Sequence, residues 1–562
     1  MNNLELPLGK RTPWYRFWEM IPAIFSYGLL IGLVILSLID PFWAAVYLLI
    51  IVITMLVKAM VMAYHSIAGR NRMIAAERTD WHERLHSLEH PTQGHEASLS
   101  LPASAFQRKI HQRNLQKIAA HPDDYPKPSQ VYHAVIIAAY NEAYDVIQPT
   151  IESVKATTAD NDHIVVFLAY EERGGPEIEA TAERLQQEYA STFFGFEIVK
   201  HPKDLPDEVV GKGPNITYAA YELKRWLEHR AIPFENVLVT TLDSDNKPHK
   251  TYFDYAAYEY VVNDERHQRS YQPIALYFGN IWDAPAPMRV VATGNTFWTI
   301  ITSMRPHMLN NFASHSQPMD ALVAMDFWSK RSIVEDGHQF WRSYFFFKGD
   351  YSVVPLHVPI YQDAVMADTY RKTLIAQFKQ LRRWAYGASD VPFVATRLFS
   401  RHRQVPFFDT CAHFARLMDG HITRGSVAIL VMLGGWVPLL VNTQAAREYS
   451  AHLLPEVVSR IQMVAMIGLV VTIFLTMRML PPRPERYKRH RTLAMLLQWV
   501  LMPITAIGYN SLAAYNAQTH LLLGRYLDTF DVTDKATVAS RQRAKQAKQK
   551  RQKRVAHADA TK

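Results

Sequence analysis

Cysteine is nearly absent from this chain: Cys411 stands alone among 562 residues, which excludes an internal disulfide and agrees with a reducing compartment. There is no internal repeat, and no low-complexity stretch outside the C-terminal tail. Acidic residues are missing from positions 541–554, which carry eight Lys or Arg, so most of the net charge of +9 belongs to that tail. A run of this kind reads as solvated chain, with attraction to anionic lipid heads as the functional alternative. No nucleic-acid-binding motif accompanies it, so nucleic acid is not expected as a partner. The first apolar run also lacks a small-residue cleavage pattern and a second run follows at once, which argues against a signal peptide.

What is present is apolar sequence of membrane length. Residues 21–39 and 42–64 are nearly unbroken apolar runs separated by Asp40-Pro41. About 20 helical residues cross the hydrocarbon layer, so the pair reads as a helical hairpin, with Lys58 free to snorkel. Residues 426–441 and 461–477 form a second, shorter pair. Basic residues gather at Lys10-Arg11, at Arg70, Arg72 and Arg78, and from Arg478 to Arg491, which places the termini and the region 65–425 on the cytoplasmic side. These spans lack buried charge, which argues against a transporter. Residues 493–509 contain Pro503 and are barely long enough to cross, so an interfacial or re-entrant segment is expected there, followed by an amphipathic helix over 510–527.

Between the hairpins the pattern changes. Stretches 67–90 and 104–120 have helical spacing and many charges, as surface or membrane-edge helices do. From residue 131 apolar runs alternate with helical segments: strands near 131–138, 163–169, 193–199 and 236–243, helices near 147–157, 178–190 and 215–229. This alternation predicts an α/β fold with a doubly wound, mostly parallel sheet. Ligands in such sheets bind beyond the carboxyl ends of the strands. Tyr140-Asn141-Glu142, Glu171-Glu172 and Asp243-Ser244-Asp245 all fall at such ends.

Four further motifs carry chemistry. Asp243 and Asp245 offer two hard carboxylates at the mouth of the sheet, suited to Mg²⁺ or Mn²⁺ bridging a diphosphate; a turn or helix cap is the plain alternative. Glu335-Asp336 follows a strand-like Ser332-Ile333-Val334 and could take a proton from a hydroxyl if it lies in a cleft; a surface acidic pair is the plain alternative. Gln380, Arg383 and Trp384 share one face of a helix beginning near Thr369, offering an amide, a guanidinium and a flat indole to a sugar ring; an interfacial helix would also hold a Trp there. Lys212, in Gly-Lys-Gly-Pro-Asn ahead of a helix, suits a phosphate as well as it suits a simple loop cap. The aromatic run from Gln339 to Tyr351 reads as packing.

Taken in order, Ala138–Glu142, Gly211–Asn215, Asp243-Ser-Asp245, Val334-Glu335-Asp336 and Gln380-Leu-Arg-Arg383-Trp384 resemble the pattern of membrane-embedded family 2 glycosyltransferases of the cellulose synthase type. The resemblance covers residues 131–390 and the spans around them, and Phe530-Asp-Val532-Thr533-Asp-Lys535 is similar to the FxVTxK gating loop of that family. It implies a GT-A-like sheet in the cytosol flanked by transmembrane helices. Asn141, Glu142, Glu171, Lys212, Asp243, Asp245, Thr533 and Lys535 would bind nucleotide, with Mg²⁺ or Mn²⁺ on Asp243 and Asp245. Asp336 would be the general base with Glu335 beside it, and Gln380, Arg383 and Trp384 would hold the acceptor.

The implied organisation is a hairpin over 1–66, an approach segment over 67–130, the glycosyltransferase domain over 131–390, interfacial helices over 391–425, a transmembrane pair over 426–480, a basic loop and interfacial segment over 481–527, a gating-like loop over 528–540 and a tail over 541–562. The implied activity is inverting, processive transfer from a nucleotide-diphosphate sugar to a growing polysaccharide at the inner face of a bacterial-type cytoplasmic membrane. Its partners would be the donor, a glycan acceptor, the bilayer and accessory or homo-oligomeric subunits. Single transfer to a polyprenyl lipid, and a non-catalytic scaffold subunit, are the alternatives. Two positions depart from the family pattern: Glu171 or Glu172 stands where its first aspartate is expected, and Asn246 follows the DxD where many cellulose synthases have His.

Overall fold

An eight-stranded mixed sheet organises the chain. The computed structural model describes residues 4–442 and 449–527; Thr533, Lys535 and the basic tail lie outside the described residues. The strands are β1 (Tyr132–Ala139), β2 (Ile164–Glu171), β3 (Gly195–His201), β4 (Val237–Asp243), β5 (Lys247–Pro248), β6 (Arg269–Leu276), β7 (Ser316–Pro318) and β8 (Ser352–Tyr361). Their order is β3-β2-β1-β4-β7-β6-β8-β5. Pairings among β3, β2, β1 and β4 are parallel, as is β6 with β8, while β7 runs antiparallel to β4 and β6.

Strands β1, β2 and β4 are buried on both faces, which is why they read as continuous apolar runs. Val135 and Ile137 of β1 face one way, into a core shared with helices Tyr144–Lys155, Pro176–Tyr189 and Tyr252–Val262. Ala134 and Ile136 face the other way, onto helix Lys212–His229. Chain order reverses at β1, with β2 on one side and β4 on the other, so a crevice opens beyond their carboxyl ends. Asn215, buried in the first turns of helix Lys212–His229, donates to the carbonyls of Ala139 (3.3 Å) and Ala169 (3.1 Å) and ties the ends of β1 and β2 together.

Among the described residues, five helices are long and apolar enough to cross a membrane: Pro13–Ile39, Pro41–Glu77, Phe407–Val441, Leu453–Met479 and His490–Leu523. The first four meet around Leu33, Leu48, Val52, Leu430 and Val458. Asp40 caps the second helix by accepting from the amide of Phe42 at 2.8 Å, so Asp40-Pro41 makes the expected turn. Large apolar side chains such as Phe25, Ile31, Ile50, Ile467 and Phe474 remain exposed on the bundle's outside, a surface that suits lipid rather than water.

Several boundaries differ from the sequence reading. The second arm of the hairpin continues to Glu77, and a short helix, Pro91–Ser98, fills the expected break in the approach segment. The proposed edge at 425/426 falls inside one helix, Phe407–Leu433, which brings Asp419, His421 and Arg424 onto a span-length element. Residues 332–334 form no strand; Glu335 and Asp336 open helix Glu335–Phe346. The helix expected to be amphipathic, observed over Leu512–Leu523, instead buries Ala513, Ala514, Tyr515, Ala517, Gln518 and Leu521 around much of its circumference. It does so because it is wedged against other helices rather than laid on a surface. The aromatic run after Gln339 packs as expected: Phe340, Trp341, Tyr344 and Phe345 form a core with Tyr351 and Phe393.

Segment His490–Leu523 lies between the α/β domain and the helices Pro13–Ile39 and Phe407–Leu433: Tyr515 donates to the carbonyl of Ser26 at 2.9 Å and Gln518 to that of His421 at 3.0 Å. Ahead of it, Arg486 holds Asp283 at 2.8 and 2.9 Å, Tyr487 donates to the same carboxylate at 2.5 Å, and Arg491 donates to the carbonyl of Trp282 at 2.7 Å. In the middle Ala513 packs with Leu381 and Val291. Beyond it, the amide of Leu527 donates to the hydroxyl of Tyr386 at 3.2 Å, and Arg16 donates to the carbonyl of Leu522 at 2.9 Å.

Asn215→Ala removes two buried donors while leaving both carbonyls in place, so a loss of about 1–3 kcal/mol is expected. A fall in the melting temperature of the purified protein, with unchanged membrane insertion, checks it.

Candidate active site

Lys212 is the centre of the site. The sequence Gly211-Lys212-Gly213 enters helix Lys212–His229 at the crevice, and Lys212 is 8% exposed. Its ammonium lies 2.9 Å from Asp243 Oδ1, 3.1 Å from Asp336 Oδ2 and 3.9 Å from Glu335 Oε1. Burial alone would lower its pKa, but the charges of Asp243, Asp336 and Glu335 outweigh it and raise the pKa above the ordinary lysine value. Gly213 makes the approach feasible: a Cβ there would sit 2.4 Å from the carbonyl oxygen of Ser329 and 3.1 Å from Glu335 Cβ.

Two motifs 90 residues apart in the chain thus share one cation. Asp243 ends β4, and the turn after it closes through Asn246 N–H to Asp243 carbonyl at 3.0 Å. Buried Ser244 is fixed by Thr150, which donates to its carbonyl at 2.8 Å, and Asn246 donates to Ser314 Oγ at 2.6 Å. Asp243 and Asp245 stay partly exposed at the crevice while their neighbours are locked. Among the described residues no group of three or more His, Cys, Asp or Glu forms a complete metal cage. Two partly exposed carboxylates still fit Mg²⁺ or Mn²⁺, because such ions keep several waters and take one or two carboxylates plus phosphate oxygens.

Glu335 and Asp336 have different surroundings. The side chain of Glu335 is 4% exposed and that of Asp336 is 19%. Burial, then the charge of Asp336, pushes the Glu335 carboxyl up to about 8, against the pull of Lys212 and Arg383. At neutral pH one member of the pair is therefore held mostly protonated.

Thr369 caps helix Tyr370–Ala385 by accepting from the amide of Lys372 at 3.2 Å, so the helix starts where the sequence indicated. Arg383 acts electrostatically on both Glu335 and Tyr277, which places it at the same crevice. Trp384 lies 6.3 Å, centroid to centroid, from the ring of Tyr277. Gln380 accepts from Gln377 at 3.0 Å on the same helix.

Glu171 and Glu142 sit apart from this group. Glu142 accepts from the amide of Tyr140 at 2.7 Å, and Asn141 beside it is exposed. Glu171 is buried at the end of β2, its carboxyl raised by burial and partly restored by Arg173 at 3.9 Å. Glu172 is turned away, accepting from the amide of Lys203 at 3.0 Å.

Two residues were missed by the sequence reading. Tyr277 follows β6, and burial, then Asp243, Asp245 and Asp336, raise its phenol above the ordinary tyrosine value. Because β6 points the same way as β4, the rule of strand ends would have found it. His315 is buried just before β7; its Nδ1 lies 2.8 Å from the carbonyl of Phe312, and its Nε2 has no protein partner. Burial lowers its pKa against the pull of Asp336. The start of an antiparallel strand falls at the same edge as the ends of its neighbours, but a strand of three residues leaves little trace in sequence.

No protein-family profile matches the chain, and no curated protein matches it. Among solved structures, the mannosyltransferase PcManGT from Pyrobaculum calidifontis in complex with GDP-Man and Mn²⁺ is similar over 80% of this chain and 98% of its own, at 13% identity and a TM-score of 0.36. S. aureus TarS 1-349 matches over 70% of this chain and 93% of its own, at 11% identity and a TM-score of 0.33. GalNAc-T7 with UDP, GalNAc and Mn²⁺ matches over 52% of this chain and 58% of its own, at 9% identity and a TM-score of 0.32.

Replacing Lys212 by Met strands the carboxylates it serves. A destabilisation of about 3 kcal/mol is expected, the low end for a broken buried pair because Asp243 is one third exposed. Glu335 sets a pH dependence. Its folded pKa lies above the unfolded value, so its contribution is full below pH about 4.5 and is lost as pH rises toward about 8. The melting temperature in EDTA should fall across that window, and Glu335→Gln should flatten the fall; a slope of the opposite sign would refute the assignment.

Proposed function

We propose that the chain is an inverting glycosyltransferase that moves a sugar from a nucleotide-diphosphate donor onto a growing glycan at the inner membrane face. The observation that carries this reading is Lys212 between Asp243 and Asp336, which joins a diphosphate-type carboxylate pair to a candidate base. The GT-A-like reading of the sheet rests on the crevice beyond β1 and β4 and the order of the motifs along the chain.

In this reading the donor diphosphate sits over Asp243 and Asp245. Mg²⁺ or Mn²⁺ held there supplies charge neutralisation for the departing nucleoside diphosphate. The acceptor lies on Trp384 and Tyr277, whose rings offer apolar faces to sugar rings, and Arg383 adds a fixed positive charge. Asp336, the more accessible of the acidic pair, takes the proton of the acceptor hydroxyl as its oxygen attacks the anomeric carbon. The carbon–oxygen bond to the diphosphate breaks in the same step, and the configuration inverts. Glu335, mostly protonated, leaves Asp336 as the group that receives the proton.

Glu142 and Glu171 are proposed for the nucleoside end, Thr533 and Lys535 for closure over the donor, and Gln380 for the acceptor. With Arg486, Tyr487 and Arg491 at or just before its start and Leu527 after it held by the α/β domain, segment His490–Leu523 is read as interfacial and the domain as cytosolic. Accessory or identical subunits are proposed partners on the resemblance alone.

Membranes carrying the protein should release nucleoside diphosphate from one member of a nucleotide-sugar panel, in a Mg²⁺- or Mn²⁺-dependent way. Asp336→Asn should lower the rate about 10²–10⁴-fold, the range for loss of a general base. Trp384→Ala should raise the acceptor KM more than it lowers kcat. No release from any donor would refute the reading.

A further inference from the structure

One charged surface has no part in the proposed transfer. It lies where the chain passes from helix Leu453–Met479 into segment His490–Leu523. Residues 483–491 hold Arg483, Arg486, Lys488, Arg489 and Arg491 against a single acid, Glu485. Two of these cations are turned inward: Arg486 holds Asp283, and Arg491 donates to the carbonyls of Trp282 and Ala284. Lys488 and Arg489 are left outside. Both are exposed, and neither has an acidic partner among the described residues. Arg483, also exposed, donates to the hydroxyl of Thr492 at 3.4 Å.

Directly after this cluster the outer face of the chain becomes apolar. Leu493, Leu496, Leu497, Val500 and Ile504 recur at helical spacing, so they share one face, and they are 45–78% exposed. Met495, Gln498 and Trp499, on the opposite face, are buried: Met495 packs with Trp282, and Gln498 accepts from Arg289. An outward stripe of this size is poorly suited to water and well suited to the boundary between headgroups and acyl chains.

The acceptor helix Tyr370–Ala385 extends the surface. Its Leu374 packs on the same core as Tyr487 and Met495, so its first turn stands beside the cluster. That turn exposes Arg371 between Tyr370 and Ile375, which are 58% and 48% exposed. Lys372 is matched by Asp368 at 3.7 Å, whereas Arg371 has no acidic partner among the described residues. Cations from two separate elements thus flank one apolar stripe.

We propose that this patch docks anionic phospholipid: Arg371, Lys488 and Arg489 hold headgroup phosphates while acyl chains lie on Leu493, Leu497 and Val500. Charge complementarity decides the occupant. A neutral lipid would cover the stripe and leave the cations unanswered, and an acidic protein would answer the cations and leave the stripe bare; an anionic lipid does both. The inference rests on the interfacial reading of segment His490–Leu523, not on the transfer chemistry. Lipid held on both elements would brace the start of the acceptor helix against the clasp on Asp283.

The test is hydrogen–deuterium exchange of the full chain in nanodiscs of phosphatidylcholine, with and without about one fifth phosphatidylglycerol, an ordinary anionic fraction. Amides of residues 485–489 should exchange more slowly in the anionic discs, and high salt should remove the difference. Lys488→Gln with Arg489→Gln should lose the added protection, since about fivefold weaker binding per cation compounds to about 25-fold. Lys488→Arg should keep it. The basic tail is present in every form, so only the response of the loop separates them. Equal exchange in the two lipids, or an unchanged response in the double variant, overturns the proposal. Protection by glycerol phosphate in neutral discs also overturns it, in favour of a soluble phosphate. A nitroxide on Leu497→Cys, in a Cys411→Ser background, reports depth on the same discs. A label at the bilayer centre would sink the interfacial reading and leave a lipid surface at the end of a span.

Discussion

One ammonium holding three carboxylates fixes the geometry of the crevice. Without Lys212, the end of β4 and the start of helix Glu335–Phe346 would repel each other across a poorly solvated gap. With it, repulsion becomes a bridge, and the separation of Asp243 from Asp336 is set by the reach of one side chain. That bridge needs Gly213 to let the loop come close and Asn215 to anchor the helix on β1 and β2. Residues 212, 213 and 215, all in the first turn of one helix, thus serve charge, approach and anchorage.

The same bridge divides labour between the acidic neighbours. Glu335 faces inward and Asp336 outward because they open a helix, where successive side chains diverge by roughly a third of a turn. Their different exposure follows from that divergence, and the burial of Glu335 is what raises the proton affinity of its carboxyl. Tyr277 and Arg383 add a hydroxyl and a positive charge on the far side, so the crevice has mixed polarity rather than a uniform negative field.

The α/β sheet was legible because buried parallel strands leave continuous apolar runs: the strands ending at Ala139, Glu171, His201 and Asp243 all stand close to where the sequence puts them. The second half was less legible. β5 has two residues and β7 three, too short for any periodicity, and β6 and β8 are separated by long helices. Asp243, Asp336 and Lys212 were visible as motifs, but their sharing of one cation is a long-range fact that spacing cannot carry. Tyr277 and His315 escaped because each is a single residue beside a strand end. The helical ends were misjudged for one reason: apolar length was taken to mark the limits of the spans, whereas helices Pro41–Glu77 and Phe407–Leu433 continue as polar extensions. Asp419, His421 and Arg424 lie on such an extension.

The clasp between Arg486, Tyr487, Arg491 and the loop Ile281–Ala284 has a bearing on how the molecule can be divided. Leu381 and Val291 of the α/β domain share a core with Ala513, and Phe278 and Trp282 share one with Met495. A fragment ended at residue 390 would bare that apolar surface beside Tyr277 and leave Asp283 unanswered. The chain that looks modular when read from end to end therefore closes on itself, and its last described helix is a wall of the unit that begins almost four hundred residues earlier.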